Sequence, residues 1–187
     1  MNRRTALPHL LTALSLPGLK LVGRTAMAMA GVVTAARAQA PGKSEPGLER
    51  IGQAVQWPLV RWLSGEVIPS PWTQGQASLV VFFTTTCPFC ARHNEHLRKL
   101  AEQVPAVGLK IILAAQEKEA AKVQRYLERY GHALAATLDE KPLHAALSSR
   151  KGIPLTCVID RRGILREVIP GEMFEEDVME LAKWARA

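Results

Sequence analysis

The sequence predicts an α/β domain of three layers, with a central mixed β-sheet flanked by helices. Three observations point to it. Apolar runs of strand length alternate with stretches of helical periodicity from residue 79 to residue 147. The last two apolar runs, 155–160 and 164–169, are joined by Asp160-Arg161-Arg162-Gly163, which has a hairpin's length and its glycine. A final amphipathic stretch, 172–184, then returns to cover the sheet. With 187 residues and 48% hydrophobic content, the chain has material for one core and a short extension.

Residues 1–40 read as a targeting segment. A basic start is followed by apolar stretches and by Ala38-Gln39-Ala40, a small-x-small site at which cleavage after Ala40 is expected. Arg3-Arg4 with Leu7 following, a weakly apolar middle and Arg37 beside the site lean toward the twin-arginine export route. Neither uncharged run, 5–19, interrupted by Pro8, His9 and Pro17, nor 25–36, is long enough to span a bilayer comfortably, so a periplasmic destination is expected rather than membrane anchoring. The rival reading is an arm or amphipathic anchor kept in the mature chain. Residues 41–54, opening on the Pro/Gly-rich 41–47, form the expected linker, and 55–187 the folded domain.

Within that domain, 55–67 has room for a short strand or two around Trp57 and Trp62, before Ile68-Pro69-Ser70-Pro71 breaks regular structure. The run 79–84 is apolar throughout, as a central strand covered on both faces would be. Residues 88–103 follow as a helix with Leu97, Leu100, Ala101 and Val104 in one stripe, ended by Pro105 and Gly108. A second apolar strand is expected at 109–115. Residues 117–130 then form a helix presenting Val123, Tyr126, Leu127 and Tyr130, with Gly131 as its stop signal. A short edge strand is expected at 133–138 and a short helix at 142–147. In the closing helix, 172–184, the expected core side is Met173, Phe174, Val178, Leu181 and Trp184. Trp57, Trp62 and Trp72 read as core or rim packing.

The net charge of +7 suggests nucleic acid until it is located. Arg3, Arg4, Lys20, Arg24 and Arg37 lie in the first forty residues without a single acid. The remainder is nearly balanced, with 19 basic against 17 acidic side chains. A nucleic-acid partner therefore has no support.

Chemistry concentrates at Cys87-Pro88-Phe89-Cys90, between the 79–84 strand and the 88–103 helix. Two cysteines three positions apart at a helix start close a small disulfide ring. The first sits where free N–H groups and the positive end of the helix dipole favour a thiolate. A CxxC alone also fits half a zinc site; between a buried strand and an amphipathic helix it reads as a redox dithiol. Cys90 shares a face with His93 and Leu97 at i+3 and i+7. Cys157, inside an apolar run, reads as a buried, inert thiol.

The CxxC, a following strand-helix pair and then Gly152-Ile153-Pro154-Leu155-Thr156-Cys157-Val158-Ile159-Asp160-Arg161-Arg162-Gly163 resemble the thioredoxin superfamily. The resemblance is strongest to its exported TlpA-like thiol-disulfide oxidoreductases and covers residues 55–185. It implies the thioredoxin fold, with Pro154 a cis-proline facing the dithiol and the backbone of Ile153 pairing with an extended substrate. It makes Cys87 the attacking thiolate and Cys90 the resolving thiol, without cofactor or metal. Pro88 and Phe89 then belong to an apolar docking surface. The implied partners are proteins carrying disulfides and a membrane thiol-transfer protein as electron donor, the enzyme itself being a monomer. A reductase is the expected direction.

Three departures qualify the resemblance. The tryptophan usual before the first cysteine is Thr86, and the buried aspartate of thioredoxins is replaced by Val81. His93 stands where TlpA-like proteins often carry glutamate, which makes it a candidate proton relay for Cys90 through a water; the bland alternative is a partly exposed histidine packing on the sheet edge. Arg92, His96 and Lys99 form a basic ridge read as the solvated side of the helix.

Three rivals differ in kind. A peroxiredoxin needs proline where Val80 stands. A zinc module using Cys87, Cys90, His93 and His96 fails because steps of three drift around a helix and do not converge on one centre. A DsbA-like oxidase or isomerase normally carries a helical insertion between the cysteine helix and the cis-proline, and here that interval is short.

Overall fold

The protein is described from a computed structural model, over residues 50–104, 108–130 and 134–186. Contacts divide the chain into Met1–Gly42 and Lys43–Ala187, and the described residues belong to the second unit. The expected leader at 1–40 and most of the 41–54 linker lie outside them. Among the described residues, no helix is long and apolar enough to cross a membrane.

Five strands form one mixed sheet: β1 (Ala77–Phe83), β2 (Leu109–Ala115), β3 (Ala135–Thr137), β4 (Leu155–Ile159) and β5 (Leu165–Pro170), ordered β3-β2-β1-β4-β5. β1 is central and every residue of it is buried. Its side chains alternate between two cores, which is why the sequence reads as one apolar run. Leu79, Val81 and Phe83 face the core shared with α1 (Pro88–Gln103), α2 (Ala120–Leu127) and α4 (Glu175–Glu180). Val80 and Phe82 face the core shared with α3 (Glu140–Leu147) and the segment holding Val55, Val60 and Ile68. These two helical and irregular layers make the three-layer thioredoxin architecture.

β1 pairs in parallel with β2, and β2 with β3, while β4 runs antiparallel to β1 with Leu155 opposite Phe82. That reversal fixes the site. Because β4 begins where β1 ends, the loop entering β4 and the loop leaving β1 share one rim of the sheet. A parallel β4 would have started at the opposite rim.

The β4–β5 hairpin turns on Asp160 and Gly163. The Asp160 carboxylate accepts from the backbone N–H of Arg162 (2.8 Å) and of Ile164 (2.9 Å) and pairs with Arg166 at 2.6 Å. Burial alone would raise the Asp160 pKa, but these bonds outweigh it and hold the carboxyl low. Gly163 has φ +76°, and a Cβ there would meet the Trp72 ring at 2.8 Å, so only glycine fits.

Two expectations are corrected. Residues 55–67 form no strand of their own, only the bridge of Arg61 to Val67, with Gly65 turning the chain between them; the bridge of Ala54 to Ile164 lies just before that segment. The tryptophans there pack as rim residues: Trp57 meets Trp72 edge-on at 5.5 Å and donates to the Ile68 carbonyl at 3.0 Å. The closing helix is shorter than 172–184, since α4 starts at Glu175 and tightens into a 3-10 turn, Leu181–Ala185. Phe174 precedes that helix in extended conformation and is 77% exposed, so it does not join the core.

Candidate active site

The chain leaves β1 at Phe83 and turns through Thr84 to Cys87, whose N–H donates to the Thr84 carbonyl at 3.4 Å. Cys87 is then the N-cap of α1, with extended backbone and Pro88 at the first helical position, where the missing N–H costs nothing. Its sulfur accepts the Cys90 N–H at 3.3 Å, taking the place of the usual capping oxygen. Cys87 is half-buried, Cys90 wholly buried, and all three cysteines are thiols. Burial, with the hydrogen bond to Cys87 second, pushes the Cys90 thiol up to about 12.

The Ile153–Pro154 peptide is cis and lies just before Leu155, at the same rim as the Cys87 loop. Pro154 is buried and its carbonyl accepts the Gly171 N–H at 2.8 Å; Ile153 is half-buried against both cores. Pro88 and Phe89 are exposed beside Cys87, Phe89 at 55%. The Arg92 guanidinium lies 5.0 Å over the Phe89 ring and grips both carboxylate oxygens of Glu172, at 2.7 and 2.6 Å. That grip draws the Glu172 carboxyl below the usual range.

The basic ridge of α1 is solvated in part, with Arg92 exposed, but each of its members is also paired. Arg92 holds Glu172, Lys99 holds Glu175 at 2.6 Å, and His96 Nδ1 meets the Met173 carbonyl at 3.2 Å. The ridge is where the segment entering α4 docks.

His93 is fully buried rather than partly exposed at the sheet edge. Its Nε2 lies 2.9 Å from the Thr156 hydroxyl on β4, and its Nδ1 accepts the Met173 N–H at 3.4 Å. The acceptor role of Nδ1 assigns the proton to Nε2. Burial, with the His96 charge second, lowers its pKa to about 4 and keeps the ring neutral. His93 and His96 are thus spoken for by the Met173 segment and Thr156, so the cysteine-histidine set does not gather about a point. Among the described residues, no group of three or more histidine, cysteine or acidic side chains is placed to hold a metal ion.

Two groups beside the dithiol escaped the sequence reading. Asn94 Nδ2 donates to the Tyr126 hydroxyl at 2.9 Å, which meets the Tyr130 hydroxyl at 3.2 Å, all of them buried. Tyr126 is raised by burial first, and Cys90 lies within its electrostatic reach. The available signal was a polar residue, Asn94, inside the buried stripe of α1. The second group is Glu117, which follows β2 and bonds to Thr85 of the loop before Cys87. Cys157, opposite Val80 in β4, is fully buried in the other core.

The fold and this pair of thiols define a thioredoxin-like enzyme of the TlpA kind. Residues 66–183 match the Redoxin family, and the chain belongs to it. It is 30% identical over 144 residues to the thiol-disulfide oxidoreductase ResA of Halalkalibacterium halodurans, a match covering 75% of this chain and 81% of that protein. It is 28% identical over 104 residues to the thiol:disulfide interchange protein DsbE of Haemophilus influenzae, covering 55% of each. Among solved structures, a thiol:disulfide interchange protein of the thioredoxin family from Chlorobium tepidum superimposes with a TM-score of 0.60 at 21% identity, over 75% of this chain and 99% of that one. StoA of Bacillus subtilis does so with a TM-score of 0.55 at 20% identity, over 71% and 98%. At such identities the structural likeness concerns the fold. The sequence relatives place the chain among the thiol-disulfide oxidoreductases of ResA and DsbE type.

Proposed function

We propose that the protein is an exported dithiol reductase that opens disulfides in other proteins through Cys87 and Cys90. One observation carries the reading. A half-exposed thiol caps a helix start at the rim of the cis-proline loop, with a second thiol wholly buried one turn behind it. Cys87, as thiolate, attacks one sulfur of a substrate disulfide; the other substrate sulfur leaves and takes up a proton. Cys90 then loses its proton and attacks the Cys87 sulfur, which expels the second substrate thiol and leaves a Cys87–Cys90 disulfide. The cysteine pair is oxidised by two electrons and the substrate reduced by two. A membrane thiol-transfer protein is the proposed donor that resets the pair.

Substrate backbone pairs with Ile153 beside Pro154, and Pro88 and Phe89 supply apolar contact. His93, on the same helix face as Cys90, is the proposed acceptor for the Cys90 proton through a water. With a pKa of about 4 it is a poor resting base, and its one lone pair, on Nδ1, is taken by the Met173 N–H at 3.4 Å, so the relay requires that bond to open. His93→Ala is expected to shift the pH profile of disulfide reduction; an unmoved profile limits His93 to holding Thr156 and Met173. Export follows from the leader read at residues 1–40, and a mature N-terminus at Pro41 is the corresponding check. A retained Met1 would contradict it.

Trapping tests the reading. Cys90→Ser in intact cells is expected to leave partner proteins joined through Cys87, released by dithiothreitol. No such adduct, or adducts that survive Cys87→Ala, would remove the proposal. Direction is read from the reduction potential: below about −180 mV supports a reductase, while a value near about −120 mV indicates an oxidase.

A further inference from the structure

Glu117 lies beyond the dithiol motif and on another strand's end, yet it reaches the loop that carries Cys87. The ladder between β1 and β2 finishes with the Gln116 N–H on the Phe83 carbonyl at 2.8 Å. One residue further, Glu117 Oε1 accepts both the backbone N–H of Thr85, at 3.0 Å, and its hydroxyl, at 2.6 Å. Oε2 is held by Lys122 Nζ at 2.8 Å. The carboxylate side chain is only 10% exposed. Burial alone would raise its pKa, but the Lys122 and Thr85 bonds together outweigh it, so the group is ionised at neutral pH.

Thr85 is the second residue of the turn that the Cys87 N–H closes onto Thr84. Of the loop residues before the nucleophile, it is the one held by two bonds to a single, mostly buried carboxylate oxygen. Thr86 is exposed and gives the turn little packing of its own.

We propose that Glu117 is a positioning residue for the reaction: by holding Thr85 through two hydrogen bonds it fixes the turn that aims the Cys87 sulfur at an incoming disulfide. The proposal rests on Cys87 being the nucleophile. Lys122 neutralises the carboxylate without touching the turn. What Glu117 supplies to the turn is therefore an oxygen acceptor in a set place rather than a negative charge near the thiolate. An amide oxygen serves the same purpose.

The test uses the full chain carrying Cys90→Ser, so that only Cys87 reacts at the site, and a neutral dipyridyl disulfide as probe. Each attack by Cys87 forms one protein-pyridyl mixed disulfide and releases one thiopyridone, which is read by absorbance. Adding Glu117→Ala is expected to slow this step by roughly tenfold, as misplacement of a reacting group does. Glu117→Gln, which keeps the acceptor, is expected to stay within about threefold of the parent, and so is Lys122→Ala, which breaks only the ion pair. Parent-like rates in Glu117→Ala would overturn the proposal. Equal slowing in Glu117→Gln would instead assign a charge effect, and equal slowing in Lys122→Ala would assign loss of α2 stability; either also overturns it. If Glu117→Ala does not fold, Thr85→Val decides: several-fold slower supports the clamp, and the parent rate refutes it. A parent that releases no thiopyridone through Cys87 removes the nucleophile itself, an outcome distinct from an insensitive Glu117.

Discussion

Cys90 and Cys87 differ by one helical turn and by almost everything a thiol responds to. The buried Cys90, pushed up to about 12, stays protonated through the neutral range, while Cys87 caps the helix at the rim. At pH 7.5, iodoacetamide is therefore expected to modify Cys87 at least tenfold faster than Cys90, measured by peptide mapping against time. Cys157→Ala is expected to leave disulfide exchange unchanged and to cost about 1 kcal/mol in urea unfolding, because that side chain is buried in the second core, on the other face of the sheet from Cys90. The cysteine pair stood out by its spacing and its place between a strand and a helix, whereas the cis Ile153–Pro154 bond came only with the family resemblance, since an X-Pro bond is usually trans. Glu117 was not, since a lone acid after a strand resembles any surface loop, and only the parallel register brings it to Thr85.

At the scale of elements, α1 is tied to β4 and to the segment entering α4 through one imidazole. His93 titrates near 4 in the folded chain and near 6.5 in the unfolded one, so it favours folding fully above about pH 6.5. As pH falls from there toward 4 the unfolded state binds the extra proton and that stability is lost. Between pH 7 and pH 5 the loss attributable to His93 is about 2 kcal/mol, read as the difference between the parent and His93→Gln in urea unfolding at both pH values. The salt link Arg92–Glu172 is surface-exposed and contributes little to stability, but it orients Arg92 over Phe89. Glu172→Gln is expected to raise KM for a protein disulfide several-fold while the rate with a small neutral disulfide stays level. Equal change in both would separate Phe89 from docking. Strand and helix positions followed from apolar period, and the end of the chain misled it: Phe174 fits the helical stripe on paper, but its extended backbone places it before the helix begins.

Over the whole molecule, the arrangement of the site is a consequence of one reversed strand. Composition and alternation foretold a mixed sheet, but not that β4 must oppose β1 to bring the cis-proline loop to the dithiol. Strand direction depends on long-range pairing, which no local pattern encodes. The charge distribution was legible: the basic excess lies in the first forty residues, leaving a nearly neutral remainder. The proposed reaction requires Cys87 and Cys90 to exchange electrons as a pair. Acid-quenched, oxidised protein, digested and mapped by mass spectrometry, tests it most directly. A Cys87–Cys90 disulfide with Cys157 still a thiol is the predicted result. Oxidised protein in which Cys157 takes part, or in which both Cys87 and Cys90 remain thiols, would contradict it.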